Sequence, residues 1–229
     1  MNTEKNTSKT TYSLYYVSLA MLFATCLIVS NLIVGKMWSL AGAITIPASV
    51  IIFPITYILS DVFTEVYGFR KTRTLIWLGF ACNVVAVMAY VITVDLPHPT
   101  YWIDQDAYVV VLGKAPRILA ASFVAYLIGE FSNSIIMSRL KIATKGEKLW
   151  MRIIGSTMVG EACDSAIFIS IAFAGTLPAG QLLTTILYQY LFKVAFEVVF
   201  IPLTYKVIAV LKKKEDLDTY DYDIKYNIF

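Results

Sequence analysis

The apolar positions of this chain come in long runs, not in the alternating or one-sided patterns of a soluble core. Six runs stand out, at about residues 12–35, 44–67, 74–94, 118–137, 153–176 and 182–211. Each reaches the roughly 20 mostly apolar residues that carry a helix across a bilayer. The pattern predicts an all-α integral membrane protein with six transmembrane helices. The expected layout is a tail at 1–11, a membrane domain at 12–211 and a second tail at 212–229.

The charges between the runs predict an orientation. Bases cluster at Lys5 and Lys9, at Arg70, Lys71 and Arg73, at Arg139, Lys141, Lys145, Lys148 and Arg152, and at Lys206, Lys212, Lys213, Lys214 and Lys225. All of these fall on one side if the runs alternate across the membrane. The other side holds only Lys36, Lys114 and Arg117, and Lys193 lies inside the sixth run. Lys and Arg accumulate on the cytoplasmic side of membrane proteins, so both termini are expected there. The long connection at 95–116, with Tyr101 and Trp102, faces outside and is expected to lie partly on the membrane surface. The second tail is polar and is expected to be poorly ordered.

Composition agrees with a membrane protein: 58% of the 229 residues are apolar and only 15% are charged, against about a quarter charged in soluble domains. Cys26, Cys82 and Cys163 lack metal-type spacing and read as reduced packing residues. His98 is the only histidine, which removes zinc-peptidase and Ser-His chemistry within the spans. The first run is too long for a signal-peptide core and lacks a clear small-residue cleavage pattern. No metal, cofactor or nucleic-acid partner is expected, and no enzyme motif is present.

A weak internal repeat runs through the chain. Ser30-Asn31 in the first run is echoed by Ser132-Asn133 in the fourth, and Asp61 in the second by Asp164 in the fifth. Two inverted three-helix repeats, common in transporters, would place such residues in corresponding positions.

The polar residues inside the runs carry the functional signal. Asp61, Glu65, Glu130, Glu161, Asp164 and Glu197 are accompanied by one base, Lys193. A charge at mid-bilayer costs about 2.5–3.5 kcal/mol on insertion scales, so these groups must face one another, a wet cavity or the interface. Helical spacing gathers them into four faces: Tyr57–Asp61–Glu65, Tyr126–Glu130–Asn133, Thr157–Glu161–Asp164–Phe168 and Gln189–Lys193–Glu197. Carboxylates, amides and aromatics so arranged suit a flat polar heterocycle. Bland roles stand beside this one. Glu65 is either an interfacial partner of Arg70 or part of the site, and Lys193 and Glu197 are either an i,i+4 ion pair or ligand contacts. Pro54 and Pro202 either kink their helices or free a carbonyl. Excess acid also suggests coupling to protons.

Five stretches resemble one family in the right order: SNLIVGK at 30–36, FPITYILSDVFTEVYG at 53–68, RILAASFVAYLIGEFSN at 117–133, STMVGEACDSAIFISIAF at 156–173 and YLFKVAFEVVFIPLTY at 190–205. They resemble the queuosine-precursor transporters of the vitamin uptake transporter family, small six-span proteins of the bacterial inner membrane. The resemblance implies salvage of a 7-deazaguanine base for tRNA modification. It carries over to Asn31, Phe53, Pro54, Asp61, Arg117, Ser156, Asp164 and Lys193. The chain departs from some members at Glu130 and Asn133, and from others at Glu65, Glu161 and Glu197. The expected contacts are Asn31, Phe53, Tyr57, Asp61, Glu130, Asn133, Glu161, Asp164 and Lys193 for a nucleobase-like substrate. Glu65, Arg117 and Glu197 are expected to gate or couple. A homodimer is compatible with this reading. The rival is a substrate-binding subunit of an energy-coupling-factor importer, which would dock partners through small residues such as Ala20 and Ala24.

Overall fold

A computed structural model describes residues 13–40, 44–222 and 224–228. The first tail, with Lys5 and Lys9, lies outside the described residues. Among the described residues the fold has seven α-helices and one small hairpin. Helix α1 (Leu14–Ile33) starts at Ser13, whose hydroxyl accepts the Tyr16 N–H at 3.0 Å. Strands β1 (Met37–Leu40) and β2 (Ile44–Pro47) pair antiparallel, and a 3-10 turn, Ala48–Ile51, follows. Then come α2 (Phe53–Tyr67), α3 (Phe69–Asp95), a short α4 (Gln105–Leu112), α5 (Ala115–Ala143), α6 (Leu149–Phe173) and α7 (Ala179–Glu215).

Among the described residues five stretches are long and apolar enough to span a membrane: α1, α3, α4 with α5, α6 and α7. The second apolar run departs from expectation. Its helix begins only at Phe53 and has 15 residues, about 22 Å at 1.5 Å per residue, short of the ~30 Å hydrocarbon core. The preceding Ile-Thr-Ile-Pro is rich in β-branched residues, which favour strands, and Pro47 stops helical growth in the N-terminal direction. Non-helical backbone at such depth survives when protein covers it. Here Ile46 and Val50 are buried, and Trp38 packs edge-on to Phe192 of α7 with ring centroids 6.1 Å apart.

Pro54 does not kink α2. It occupies the first turn, where its missing N–H has no helical acceptor to lose. Pro202 lies inside the long α7. The connection at 95–116 contains the short α4.

Gly68 separates α2 from α3 with φ +84°, a backbone that side-chain-bearing residues avoid. A Cβ there would also meet Thr219 Cγ2 at 2.7 Å and Asp221 Oδ1 at 2.9 Å. That contact corrects the expectation of a loose C-terminal tail. Asp221 Oδ2 accepts the Phe69 N–H at 2.8 Å and the Ser138 hydroxyl at 2.6 Å, and Thr219 N–H donates to Val66 O at 3.3 Å. Farther on, the Tyr226 ring lies against Phe69, and Trp77 Nε1 donates to Ile228 O at 2.8 Å. The tail is thus strapped across the ends of α2, α3 and α5. We call this the tail end of the bundle. The opposite end carries the hairpin, the start of α5 and the end of α6.

The packing is inverted relative to a soluble protein. Large apolar side chains such as Leu78, Val85, Met88 and Ile92 of α3 and Leu183, Leu187 and Val199 of α7 face outward. Cys82 shares that outward surface, Cys26 is buried and Cys163 is half-buried, and all three are free thiols.

Candidate functional site

The four polar faces meet along the axis of the bundle. All twelve of Tyr57, Asp61, Glu65, Tyr126, Glu130, Asn133, Thr157, Glu161, Asp164, Gln189, Lys193 and Glu197 are at most 2% exposed. Two glycines allow this closeness. A Cβ on Gly160 would stand 2.9 Å from both Asn133 Cβ and Gly129 O, and one on Gly129 would collide with the Tyr57 hydroxyl. Helices α5 and α6 therefore cross almost backbone to backbone, with Tyr57 of α2 pressed into the crossing and its hydroxyl 3.4 Å from Gly160 O.

Lys193 organises the half of the axis away from the tail. Its ammonium lies 2.7 Å from Glu161 Oε2 and 2.5 Å from Asp164 Oδ2, and 4.2 Å from the centre of the Phe53 ring. The anticipated i,i+4 pair with Glu197 does not form: Lys193 turns to α6 instead, where two acids compete for it. Beside this triad is a pocket lined by Asn31, Val34, Ser49, Phe53, Ser122, Tyr126, Asp164, Phe168, Gln189 and Lys193. Asn31 Oδ1 accepts from Ser122 at 2.7 Å, whereas Asn31 Nδ2 and Gln189 Oε1 are buried without partners. Its cavity volume is about 10 Å³, enough for about one water. A ring system can be received only if lining side chains move.

Toward the tail, Asn133 Nδ2 donates to Asp61 Oδ1 at 2.7 Å. Asp61 and Glu197 are carboxyl neighbours, Thr157 stands beside Glu197, and Ser60 beside Glu130, while Asp61 Oδ2 and both Glu197 carboxyl oxygens have no hydrogen-bond partner among the described residues. A bond between two carboxyls requires a proton on one of them. Among the described residues, no ion pair involves Asp61, Glu130 or Glu197.

Glu65 closes the tail end. It is ion-paired with Arg152 Nη2 at 2.9 Å, Lys212 Nζ at 2.7 Å and Lys141 Nζ at 3.5 Å. Arg70 is not its partner among the described residues: the helix ends of α5, α6 and α7 bury Glu65. Asp218 of the tail joins Lys141 at 2.5 Å and Lys212 at 2.8 Å. Burial pushes the Asp218 carboxyl up, but hydrogen bonds from Lys141 and Lys212 outweigh it and hold the group below its ordinary value.

Arg117 stands apart from the axis. Its guanidinium donates to Ile171 O at 3.0 and 3.1 Å and to Ala174 O at 2.5 Å. It caps the carbonyls at the end of α6 and fastens α5 to it. Arg152 and Lys141, read from sequence as loop bases, are buried partners of Glu65. A signal for Arg152 was present: it lies in i,i+4 register with Ser156, Gly160 and Asp164. The pocket contributions of Ser49 and Ser122 had no such signal.

Outward apolar helices around a buried polar axis with an internal pocket define a multi-pass membrane protein built to handle a small polar solute. The chain belongs to the family described as "putative vitamin uptake transporter", whose model matches residues 47–207. It is 28% identical to a "probable queuosine precursor transporter" of Bacillus subtilis over 80% of this chain and 79% of that one. It is 26% identical to the "queuosine precursor transporter" of Escherichia coli over 72% of this chain and 74% of that one. A "probable queuosine precursor transporter" of Haemophilus influenzae is 25% identical over 71% and 68% of the two chains. No solved structure matches the chain.

Proposed function

We propose that this chain imports a queuosine precursor, a 7-deazaguanine base such as queuine or its cyano- or aminomethyl-bearing forms, for salvage into tRNA modification. The names of its relatives support the substrate class. The observation that carries the reading is the pocket, where the Asp164 carboxylate, the free Asn31 amide N–H and the free Gln189 carbonyl converge beside Phe53 and Phe168. A guanine-like edge has adjacent N–H donors and a carbonyl. Asp164 accepts from the donors, Asn31 donates to the carbonyl, and the aromatic rings cover the flat face. Lys193, 2.5 Å from Asp164 Oδ2, orients that carboxylate toward the pocket. Tyr57, Glu130 and Glu161 shape the site from behind.

In this reading the chain crosses the membrane six times, α2 acting as the short central crossing completed by the hairpin. Both termini are cytoplasmic. The gathering of Lys141, Arg152 and Lys212 at the tail end agrees with that orientation. Transport is coupled to protons at the Asp61–Glu197 pair, two buried neighbouring carboxyls that can share a hydrogen bond only when one carries a proton. The charged groups around that pair are Glu65 of the same helix as Asp61, Glu130 of α5, and Glu161 of α6.

The chain works without an ATPase scaffold. Ala20 is half-buried and packs against the core from α1. The test is binding of queuine and its precursor bases to the purified chain, wild type and Asp164→Asn. Saturable binding by wild type that weakens in the variant is expected. Equal binding by both would remove Asp164 from the site, and no binding by a folded wild type would remove the substrate class.

A further inference from the structure

Two asparagine–aspartate pairs occupy related places in this bundle and stand in opposite states. Nearer the tail, Asn133 Nδ2 is bonded to Asp61 Oδ1 at 2.7 Å. Nearer the opposite end, Asn31 and Asp164 line one pocket, yet Asn31 Nδ2 is buried with no acceptor among the described residues and Asp164 is held by Lys193. Each pair links the two halves of the chain, α5 to α2 in one case and α1 to α6 in the other.

The correspondence is close in sequence and in place. Each asparagine follows a serine, and Asn31 is the eighteenth residue of α1 as Asn133 is the nineteenth of α5. A buried amide N–H without an acceptor is costly, and native structures keep few of them. One made in the pair that is open, matched by a satisfied copy in the pair that is closed, is what a two-state device requires.

We propose that the two pairs are the alternating gates of the transporter. The Asn133–Asp61 bond seals the tail side in the state described here. In the opposite state Asn31 bonds Asp164 and seals the pocket mouth, while Asn133 and Asp61 part. Lys193 permits the exchange because it keeps Glu161 when it releases Asp164. A flat ligand that accepts from Asn31 and donates to Asp164 draws the same two helices together, which ties closure to loading. This inference rests on the transporter reading. It deepens that reading by naming the residues that switch.

The test needs no substrate, so its failure is distinct from failure of the substrate assignment. In a background with Cys26, Cys82 and Cys163 replaced by serine, Ser49→Cys places one thiol in the pocket wall. A membrane-impermeant maleimide is applied from the side opposite the tail. Asn133→Leu is expected to slow labelling about tenfold, by removing a charge-assisted bond from the tail-sealed state only, the state from which the pocket opens away from the tail. Asp61→Ala removes the acceptor of the same bond, must act in the same direction, and carries the test if Asn133→Leu does not reach the membrane. Asn31→Leu is expected to leave labelling as fast or faster, and the Asn31→Leu/Asn133→Leu pair to restore it toward the parent rate. Unchanged labelling in the Asn133 and Asp61 variants, slowing in Asn31→Leu, or no restoration in the pair would each overturn the proposal.

Discussion

Lys193 Nζ stands 2.5 Å from Asp164 Oδ2 and 2.7 Å from Glu161 Oε2, so one cation of α7 balances two acids of α6 inside the bundle. Removing one partner of a buried ion pair costs about 3–5 kcal/mol, because the remaining charge is left uncompensated. Lys193→Met is therefore expected to lower the thermal unfolding temperature of the detergent-purified chain markedly. Adding Asp164→Asn should recover much of the loss without recovering uptake. A Lys193→Met chain as stable as the parent would contradict the ion-triad account.

The α5–α6 crossing makes a second prediction. Gly129→Ala drives a methyl group into the Tyr57 hydroxyl, and overpacking of this kind costs about 1–3 kcal/mol. Tyr57→Phe in the same chain removes the obstructing oxygen and should restore part of the stability, measured by thermal unfolding. Additive losses in the double variant would count against the packing described.

The tail strap makes a third. Asp221 serves two donors, Phe69 N–H and Ser138 Oγ, and leaving buried donors unmet costs about 1–3 kcal/mol. Asp221→Ala should free the tail, seen as increased mobility of a spin label at the exposed Tyr222→Cys. Asp218 adds a pH dependence. Its folded carboxyl titrates below the ordinary value, so its contribution is present above that ordinary value, about pH 4, and is lost as pH falls through the lower folded value. The label should stay immobile from neutral pH down to about pH 5 and loosen only in stronger acid. Loosening near neutral pH would contradict the ion-pair strap.

Proton coupling gives a fourth. Uptake is expected to rise when the outside is made more acidic than the inside. Glu197→Gln fixes a permanent donor beside Asp61, so residual uptake should no longer respond to the gradient. A gradient response that survives intact in Glu197→Gln would place coupling elsewhere.

Much of the architecture could be read from the sequence because a bilayer imposes it. Long apolar runs must be helices there, and polar residues inside them must turn inward. The four faces built on Asp61, Glu130, Asp164 and Lys193 all proved to be interior. The partners of the charges were not legible. Glu65 sits five residues before Arg70 but takes Arg152, Lys212 and Lys141, because helix packing decides which distant ends meet. Lys193 sits one turn before Glu197 yet crosses to α6. The hairpin was hidden because Ile44 to Pro47 is as apolar as a helix of the same length, and hydropathy does not distinguish the two. The ordered tail escaped notice because its anchors, Asp218 and Asp221, look like solvated acids until Lys141 and the Phe69 N–H are brought beside them.

The central claim is best tested by uptake of labelled queuine and its precursor bases in cells that lack their own synthesis and transport and express this chain alone, as wild type or Asp164→Asn. Uptake by the wild type and its loss in the variant at equal membrane abundance is the predicted result. No uptake by a well-inserted wild type would contradict a self-sufficient importer, and retained binding in that case would point to a subunit that needs partner proteins.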